Sequence, residues 1–329
     1  MTLIRSMIDA IRKQRSQTDQ PVRLLNHLAN TAELRVPVDS LPHCIAMNSM
    51  IRWHDLGVGV PDEDFGLTPK NGVLDGWRQI DSTTYGCFQV KRDEFKDFAH
   101  AVTLEDWQCD ITDIHGFVAS KSTLENFAST DAMVEEKSPS LISEITLAKL
   151  HDNLAHTDIG LIHKPGEDWF CRYGWDNRLF VFNTNGSHHL AAAKYIAFRL
   201  GKAVPLRAKL EVHELNVQKL RGLRSDYDMF VVSKELYSPE FHEAMKEFGA
   251  TYLSQILPKP FDRKKVTGLY LPKNEPKSAL VAQLLRQADT FDFGVHLSSL
   301  AERQQALSLE MRRRNIEGVE LRSSPPSLS

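Results

Sequence analysis

The segment 179–215 constrains the fold of this chain more strongly than any other. Residues 179–182 are all apolar, which is typical of a strand buried on both of its faces. Turn residues follow at 183–186, and the alanine-rich stretch 187–200 has helical spacing. Apolar and charged residues then alternate over 204–212, which predicts a half-buried strand. Strand, helix and strand in this order predict a parallel, right-handed βαβ unit.

The turn between the first strand and the helix has residues suited to holding an anion. Asn183 and Asn185 are turn formers, and Gly186 can adopt a positive φ. We expect Ser187 to cap the helix, which should end near Gly201. A helix that starts after such a turn presents free backbone N–H groups. Its positive dipole end then favours a bound anion, phosphate above all.

Two adjacent histidines lie in the first turn of this predicted helix. His188 and His189 add either hydrogen-bond donors or a proton-transfer group beside the anion site. The sequence favours a functional role for His188 and leaves His189 open. In the alternative interpretation, Ser187 only caps the helix while the two histidines bond loop carbonyls.

The sequence does not predict a metal site. Six of the thirteen histidines fall between positions 151 and 213, but no HExxH motif or Cys/His ladder is present. The four cysteines are scattered and include no CxxC pair, so we expect reduced structural thiols. Those six histidines are His151, His156, His163, His188, His189 and His213.

Composition excludes several classes of protein. The 329 residues are 42% hydrophobic and 25% charged, which is ordinary for a globular protein. A formal charge of −3 argues against a nucleic-acid coat, so DNA binding is possible but not favoured. No apolar run approaches the roughly 18 residues of a membrane helix. The N-terminus predicts a short amphipathic helix in place of a secretory signal, so we expect a cytoplasmic protein without a membrane partner.

Composition shifts divide the chain into four regions. Within the second region we expect a helix over about 142–154 and a short strand over 159–162. Beyond it we expect helices over 239–248, which ends at Gly249, and over about 277–288 and 297–315. The regions are a mixed, loop-rich N-terminal part (1–137), a core (138–215), a helical C-terminal part (216–322) and a disordered tail (323–329).

The central turn resembles that of the ParB/sulfiredoxin superfamily. The family pattern is a glycine turn followed by G-x-H/R-R-x-x-A-A, with the next strand beginning near Val-Pro. Residues 186–192 read Gly-Ser-His-His-Leu-Ala-Ala, and Val204-Pro205 begins the next predicted strand. The resemblance covers about residues 140–215. It implies an α+β or mixed α/β fold with a ParB/sulfiredoxin-like core.

In that superfamily the joint binds nucleotide phosphates. Sulfiredoxins use it for ATP-dependent chemistry on an oxidised cysteine, related kinases phosphorylate free serine, and ParB proteins bind and hydrolyse CTP. By resemblance, His188 falls on a phosphate-contact position. Ser187 falls on the catalytic cysteine of sulfiredoxins, so reduction of a sulfinic acid by that route is not expected. His189 replaces the usual arginine, so phosphate binding should be weaker and pH-dependent, or the ligand is not a triphosphate.

The leading hypothesis is an enzyme that binds a nucleotide or a phosphorylated small molecule at 183–189. The expected cofactor is ATP or another nucleotide with Mg²⁺, and the expected chemistry is phosphoryl transfer or nucleotide hydrolysis. One alternative is a nucleotide-gated DNA-binding or nuclease-like module, and another is a non-catalytic interaction protein. The sequence does not predict the oligomeric state. Predicted ligand-binding residues are Asn183, Asn185, Gly186, Ser187 and His188, and predicted catalytic residues are Ser187, His188 and His189.

Overall fold

A computed structural model of the chain describes residues 21–31, 43–58 and 71–306. These residues form both helices and sheets, which confirms the expected α+β class. The predictions of an N-terminal helix and of a disordered tail lie outside the described residues. None of the described helices is both long enough and apolar enough to cross a membrane.

The elements have the following bounds. The strands are β1 (Val73–Gln79), β2 (Tyr85–Lys91), β3 (Ala99–Asp110), β4 (Ile114–Phe117), β5 (Trp169–Tyr173), β6 (Leu179–Phe182), β7 (Pro205–Leu215), β8 (Tyr227–Ser233), β9 (Tyr252–Gln255), β10 (Val266–Pro272) and β11 (Phe291–Asp292). The helices are α1 (Val22–Asn30), α2 (Thr130–Lys137), α3 (Leu147–Leu154), α4 (Gly160–His163), α5 (Ser187–Leu200), α6 (Val217–Asp226), α7 (Pro239–Phe248) and α8 (Pro276–Gln287). Residues 293–306 are also helical.

The described residues cluster into two units, each assembled from several segments of the chain. The predicted boundary after residue 215 coincides with a change of unit, whereas the predicted boundary after residue 137 falls within one. Hydrophobic patterns reveal local periodicity but do not show which distant strands pair. The sequence therefore did not predict that each unit is assembled from several segments. The first unit comprises 21–31, 51–58, 71–98 and 216–298, and the second comprises 43–50, 99–215 and 299–306.

The first unit contains a six-stranded sheet in the order β11-β8-β10-β9-β1-β2, with every neighbouring pair antiparallel. Strand β10 is buried at every residue. The apolar faces of α1, α7 and α8 share one core with residues of β8 and β10. Helix α7 begins at Pro239 and ends at Gly249, whose φ of 68° matches the predicted glycine stop.

The prediction of a helical C-terminal region (216–322) was wrong in part. Helices α6, α7 and α8 are present, but four strands (β8–β11) lie between and after them. The predicted helix over 297–315 is confirmed as far as residue 306, where the described residues end. The apolar runs of β8 and β10 are short and carry no clear periodicity. Such runs become strands only when sheet neighbours bury both of their faces.

The second unit contains a five-stranded mixed sheet in the order β3-β7-β5-β6-β4. Helix α5 ends at Gly201 with φ 60°, as predicted, and its alanine face is fully buried in the core of this unit. Strands β6 and β7 are also confirmed where the sequence predicted them. The residues 159–162, predicted to form a strand, instead begin the short helix α4.

The predicted parallel βαβ unit was wrong. Strand β5 lies between β6 and β7, pairing antiparallel to β6 and parallel to β7. Strands β6 and β7 therefore run in opposite directions. The long antiparallel ladder with β3, together with β5, sets the direction of β7. Alternating hydrophobicity identifies a strand but does not specify its direction.

Candidate functional site

A pocket of about 680 Å³ lies within the second unit, on the side where β6 joins α5. This volume is in the range of small-molecule binding sites, roughly 300–1,000 Å³. Four chain segments line the pocket, and the turn predicted from the sequence is one of them. The lining consists of 119–122, 137–141 and 184–189 together with His156 and Asp158.

Gly186 occupies a position that only glycine fits. Its φ is 75°, in the left-handed region, as the sequence predicted. A Cβ added there would lie 2.5 Å from the carbonyl oxygen of Asp158. The turn therefore passes directly against the backbone that carries Asp158, and this brings both segments into the same pocket.

Gly186 also takes the N-cap position of α5. Because glycine has no side chain, the first turn of α5 has no side-chain cap. The prediction that Ser187 caps the helix was wrong, because Ser187 is the first helical residue. The helical hydrogen-bond ladder begins with Leu190, whose N–H donates to the Gly186 carbonyl at 3.0 Å. No described residue accepts from the N–H groups of 187–189. These three donors therefore stay available at the pocket.

The Ser187 side chain faces the same pocket. The residue is only 4% exposed and lines the cavity. Its hydroxyl makes no hydrogen bond to any described residue. The hydroxyl is therefore available to hydrogen-bond a ligand in the pocket.

Asn183, predicted to contact a ligand, is instead occupied within the protein. It is 3% exposed and does not line the pocket. Its Nδ2 donates to the carbonyls of Ala119, at 3.0 Å, and Asn185, at 2.8 Å, and its Oδ1 accepts from the Ala119 N–H. The side chain thereby joins the turn to the 119–122 segment. Its role is to position the pocket wall.

Asp168 holds the other side of the turn, and sequence analysis missed it. Its buried carboxylate accepts from the Thr184 N–H at 3.3 Å and from the N–H groups that begin α4, at Gly160 and Leu161. Burial raises the pKa of this carboxyl. A Cβ on Gly160 would lie 2.5 Å from the carboxylate, so the approach requires glycine. These bonds explain why residues after 159 start a helix.

His188 is bonded through both ring nitrogens. Nδ1 lies 2.6 Å from the Ser138 hydroxyl, and Nε2 lies 3.1 Å from the Ser122 hydroxyl. Burial and the nearby positive charge of Lys121 lower the pKa of His188, so the ring is neutral near pH 7. The imidazole therefore connects the 119–122 and 137–141 segments to the first turn of α5.

His189 has one bonded nitrogen, and the bond determines its tautomer. Its Nδ1 lies 3.2 Å from Asn153 Oδ1. The buried Asn153 donates its Nδ2 hydrogens to the carbonyls of Leu141 and Lys149, so its oxygen must face the ring. Nδ1 therefore carries the proton, and Nε2 has the lone pair. No described residue hydrogen-bonds Nε2.

A second imidazole stacks on His189. The ring centroids of His156 and His189 are 3.7 Å apart, with their planes inclined by 14°. Burial, and then the neighbouring His156, lower the pKa of His189. His156 Nδ1 accepts from the Asp158 N–H at 3.3 Å, which leaves its Nε2 as the donor in the neutral ring. When both rings are neutral, the pair presents one acceptor nitrogen, on His189, and one donor nitrogen, on His156.

The remaining histidines of the 151–213 cluster lie outside the pocket. His151 is exposed on α3, and His163 contacts the Leu154 carbonyl through Nε2 at 2.8 Å. His213 bonds Glu211 at 2.8 Å and stacks on Tyr173. Among the described residues, no group of three or more His, Cys, Asp or Glu side chains is arranged to hold a metal ion. All four cysteines are unpaired thiols.

The charges on the pocket wall are mixed. Lys121 lines the pocket without an ion pair to any described residue, whereas Lys137 lies 2.7 Å from Glu136. Asp158 is the one carboxylate among the described lining residues. The turn itself carried a sequence signal, because its residues are contiguous. The serines, Asn153 and Asp158 carried no signal, since they reach the pocket only through the tertiary fold.

Comparisons with known proteins identify a family without assigning a function. Residues 104–309 match the model of a family of unknown function, DUF6685, which covers more than half of the chain and every residue that lines the pocket. Neither the curated proteins nor the solved structures include a match to this chain. The chain belongs to the DUF6685 family.

Proposed function

We propose that the pocket of the second unit binds a small molecule that carries a phosphate group, with a nucleotide as the first ligand class. One observation carries this proposal: the uncapped first turn of the 14-residue helix α5 opens into a pocket of about 680 Å³. Three backbone N–H groups and the positive end of the helix dipole favour an anion at this point.

The side chains around this turn support an anionic ligand. The unpaired Ser187 hydroxyl adds a donor directly beside the N–H groups. Lys121 contributes positive charge on another wall, whereas the charge of Lys137 is offset by Glu136. Asp158 contributes a negative charge, so the site suits a ligand with further donors beyond its phosphate.

The proposed chemistry is phosphoryl transfer or hydrolysis. His189 supplies a neutral imidazole with an unbonded Nε2, because Asn153 holds its proton on Nδ1. This nitrogen can accept a proton from water or from an attacking hydroxyl. The backbone N–H groups of α5 would meanwhile stabilise charge that develops on the phosphoryl oxygens.

Magnesium would supply charge neutralisation for such a reaction. Mg²⁺ usually keeps several waters and binds through one or two carboxylates together with substrate phosphates. The pocket offers one carboxylate, Asp158, which is exposed and placed against the turn. Asp158 is therefore the residue that would hold the ion beside a bound phosphate.

The resemblance to the ParB/sulfiredoxin superfamily belongs to the same proposal. It is supported by the joint itself, where β6 leads through a left-handed glycine into α5. The opposite directions of β6 and β7 weaken it beyond the joint. We therefore propose the ParB/sulfiredoxin-like arrangement only for the joint of β6, the turn and α5.

A thermal-shift panel tests ligand binding. The panel contains ATP, CTP, GTP, ADP, AMP and inorganic phosphate, each with and without Mg²⁺, followed by calorimetry on any hit. A ligand at 100 times its dissociation constant should add about 2.7 kcal/mol of stability. Lys121→Ala should weaken the hit, whereas Lys202→Ala, an exposed residue of the same unit outside the pocket, should not. A flat panel would contradict the proposal.

The role of His189 needs a separate test. Once a turned-over ligand is known, His189→Gln should lower kcat by about a hundredfold and leave binding nearly unchanged, since only the proton acceptor is lost. His151→Gln serves as the matched control, because His151 is exposed and outside the pocket. Equal turnover in both variants would contradict the assignment of His189 as the base.

A further inference from the structure

Two serine hydroxyls flank the His188 imidazole within the pocket. Ser138 Oγ lies 2.6 Å from Nδ1, and Ser122 Oγ lies 3.1 Å from Nε2. Both serines line the cavity and are half-buried. A hydroxyl, an imidazole and a third group that orients the ring form the arrangement by which enzymes activate a serine nucleophile.

The two distances indicate which group donates to which. O–H donors typically lie 2.7–2.8 Å from their acceptors, whereas N–H donors lie about 2.9–3.0 Å away. The 2.6 Å contact therefore fits the Ser138 hydroxyl donating to the Nδ1 lone pair. The 3.1 Å contact fits the Nε2–H group donating to Ser122. The neutral ring required for this pattern agrees with the burial of His188.

We propose that Ser138 is a nucleophile activated by His188, and that phosphoryl transfer in this pocket passes through a covalent adduct on the Ser138 oxygen. Ser122 orients the imidazole and holds its proton on Nε2. The phosphate-ester class of the substrate rests on the proposed function, whereas the activation of Ser138 rests on the geometry of the three side chains.

The surrounding structure holds this group in place. Ser138 follows directly after α2, and its N–H donates to the Val134 carbonyl at 2.9 Å. The Ser122 N–H donates to Ser120 Oγ at 3.1 Å. His188 lies in the first turn of α5, next to the unpaired N–H groups that would receive the phosphoryl oxygens. Nucleophile, base and anion site thus share one pocket.

The reaction balances with water as the only co-reactant. The Ser138 oxygen attacks phosphorus, an Oγ–P bond forms, the bond from phosphorus to the leaving oxygen breaks, and the serine proton passes to His188 Nδ1. His188 then gives this proton to the leaving oxygen. Water next attacks phosphorus and transfers a proton to His189 Nε2, the acceptor named in the proposed function; the Oγ–P bond breaks, and solvent carries the proton back to the Ser138 oxygen. A phosphate ester and water become an alcohol and inorganic phosphate.

A fluorophosphonate probe tests the nucleophile directly on the wild-type chain. Attack by Ser138 forms an Oγ–P bond and releases fluoride, which leaves a stable adduct that intact mass and peptide mapping locate. We expect one adduct, on Ser138, and none after heat denaturation. His188→Gln should slow labelling by about a hundredfold or more, because the base is removed. Ser122→Ala, which keeps the base but loses its orientation, should slow labelling less.

Ser143→Ala is the matched control, since Ser143 is exposed, lies outside the pocket and bonds only the Ser140 carbonyl. Its labelling rate should equal that of the wild type. Absence of an adduct, an adduct on another residue, or an unchanged rate in His188→Gln would overturn the proposal. An adduct on Ser138 with a flat nucleotide panel would uphold the nucleophile and reject the nucleotide. A nucleotide hit without an adduct would uphold nucleotide binding and reject Ser138 as the nucleophile.

Discussion

Helices α2 and α5 belong to the same unit, yet they begin in opposite ways. Helix α2 follows Ser129, whose hydroxyl accepts from the Ala132 N–H at 3.0 Å, so its first turn is capped by its own chain. Helix α5 follows Gly186, which has no side chain to offer, and its first three N–H groups have no partner among the described residues.

Helix α5 therefore lacks the stabilisation that a side-chain cap gives to α2. A side-chain cap contributes about 1 kcal/mol, and α5 forgoes it. The glycine lets the turn lie against Asp158, and it leaves the donors facing a pocket. An anion bound there would satisfy the same donors that Ser129 satisfies internally in α2. Four predictions follow from this contrast between a capped and an uncapped helix.

The largest effect is expected for Gly186→Ala. The substitution puts a Cβ on a left-handed residue and 2.5 Å from a backbone oxygen, so the turn must move. The free energy of unfolding measured by urea denaturation should fall by about 3 to 5 kcal/mol.

Gly201→Ala provides the matched control for this variant. Gly201 also has a positive φ, 60°, but no atom lies within 4 Å of its added Cβ. Its cost should be limited to the backbone conformation, about 1 to 2 kcal/mol. Equal costs at the two glycines would show that the close approach to Asp158 does not matter.

Asn183→Asp should have the next largest effect. The exchange replaces a buried donor with an acceptor that faces the carbonyls of Ala119 and Asn185. We expect a loss of about 2 to 3 kcal/mol in urea denaturation, because two carbonyls lose their donor. Asn185→Asp, two residues away and exposed, should change stability by no more than about 0.5 kcal/mol. An unchanged free energy of unfolding in Asn183→Asp would contradict the positioning role of Asn183.

Ser129→Ala and Ser187→Ala compare the two helix starts directly. Ser129→Ala should lower the free energy of unfolding by about 1 kcal/mol, since it removes the cap of α2. Ser187→Ala should leave stability almost unchanged, because its hydroxyl bonds no described residue. A cost at Ser187 as large as that at Ser129 would mean that Ser187 caps α5 after all.

The smallest effect is a pH dependence of stability between about pH 7 and pH 5. Burial lowers the pKa values of His115, His188 and His189 in the folded protein. The unfolded chain then binds more protons below the ordinary histidine pKa of about 6.5, so stability is full above it and declines as pH falls. Urea denaturation at pH 7.5 and 5.5 should show this decline, which His188→Gln should reduce and His151→Gln should not. A flat profile would contradict the burial of these rings.

Local patterns allowed correct prediction of local elements. The spacing of alanines in 187–200 and the alternation in 204–212 identified α5 and β7, and Pro239 with Gly249 marked the two ends of α7. The positive φ of Gly186 was also predictable, because a glycine between a buried strand and a helix has few other uses. These features depend on neighbours within a few residues.

The pairing of distant segments was not predictable in the same way. The direction of β7 depends on β3 and β5, and the strands β8 and β10 depend on partners that bury both faces. Ser187 was expected to be the N-cap from its residue type. The backbone of Gly186 moved the helix start by one residue, and this shift turned the serine toward the pocket.

By itself, the sequence determined the turn at 183–189 and the anion-binding character of a helix that follows it. The tertiary structure decided which side chains surround that turn. Ser122, Ser138, Asn153 and Asp158 come from three separate segments, and only the packed core of the second unit brings them to His188 and His189. Short-range periodicity encodes backbone conformation, whereas the chemistry of a pocket depends on contacts between residues that are far apart in the chain.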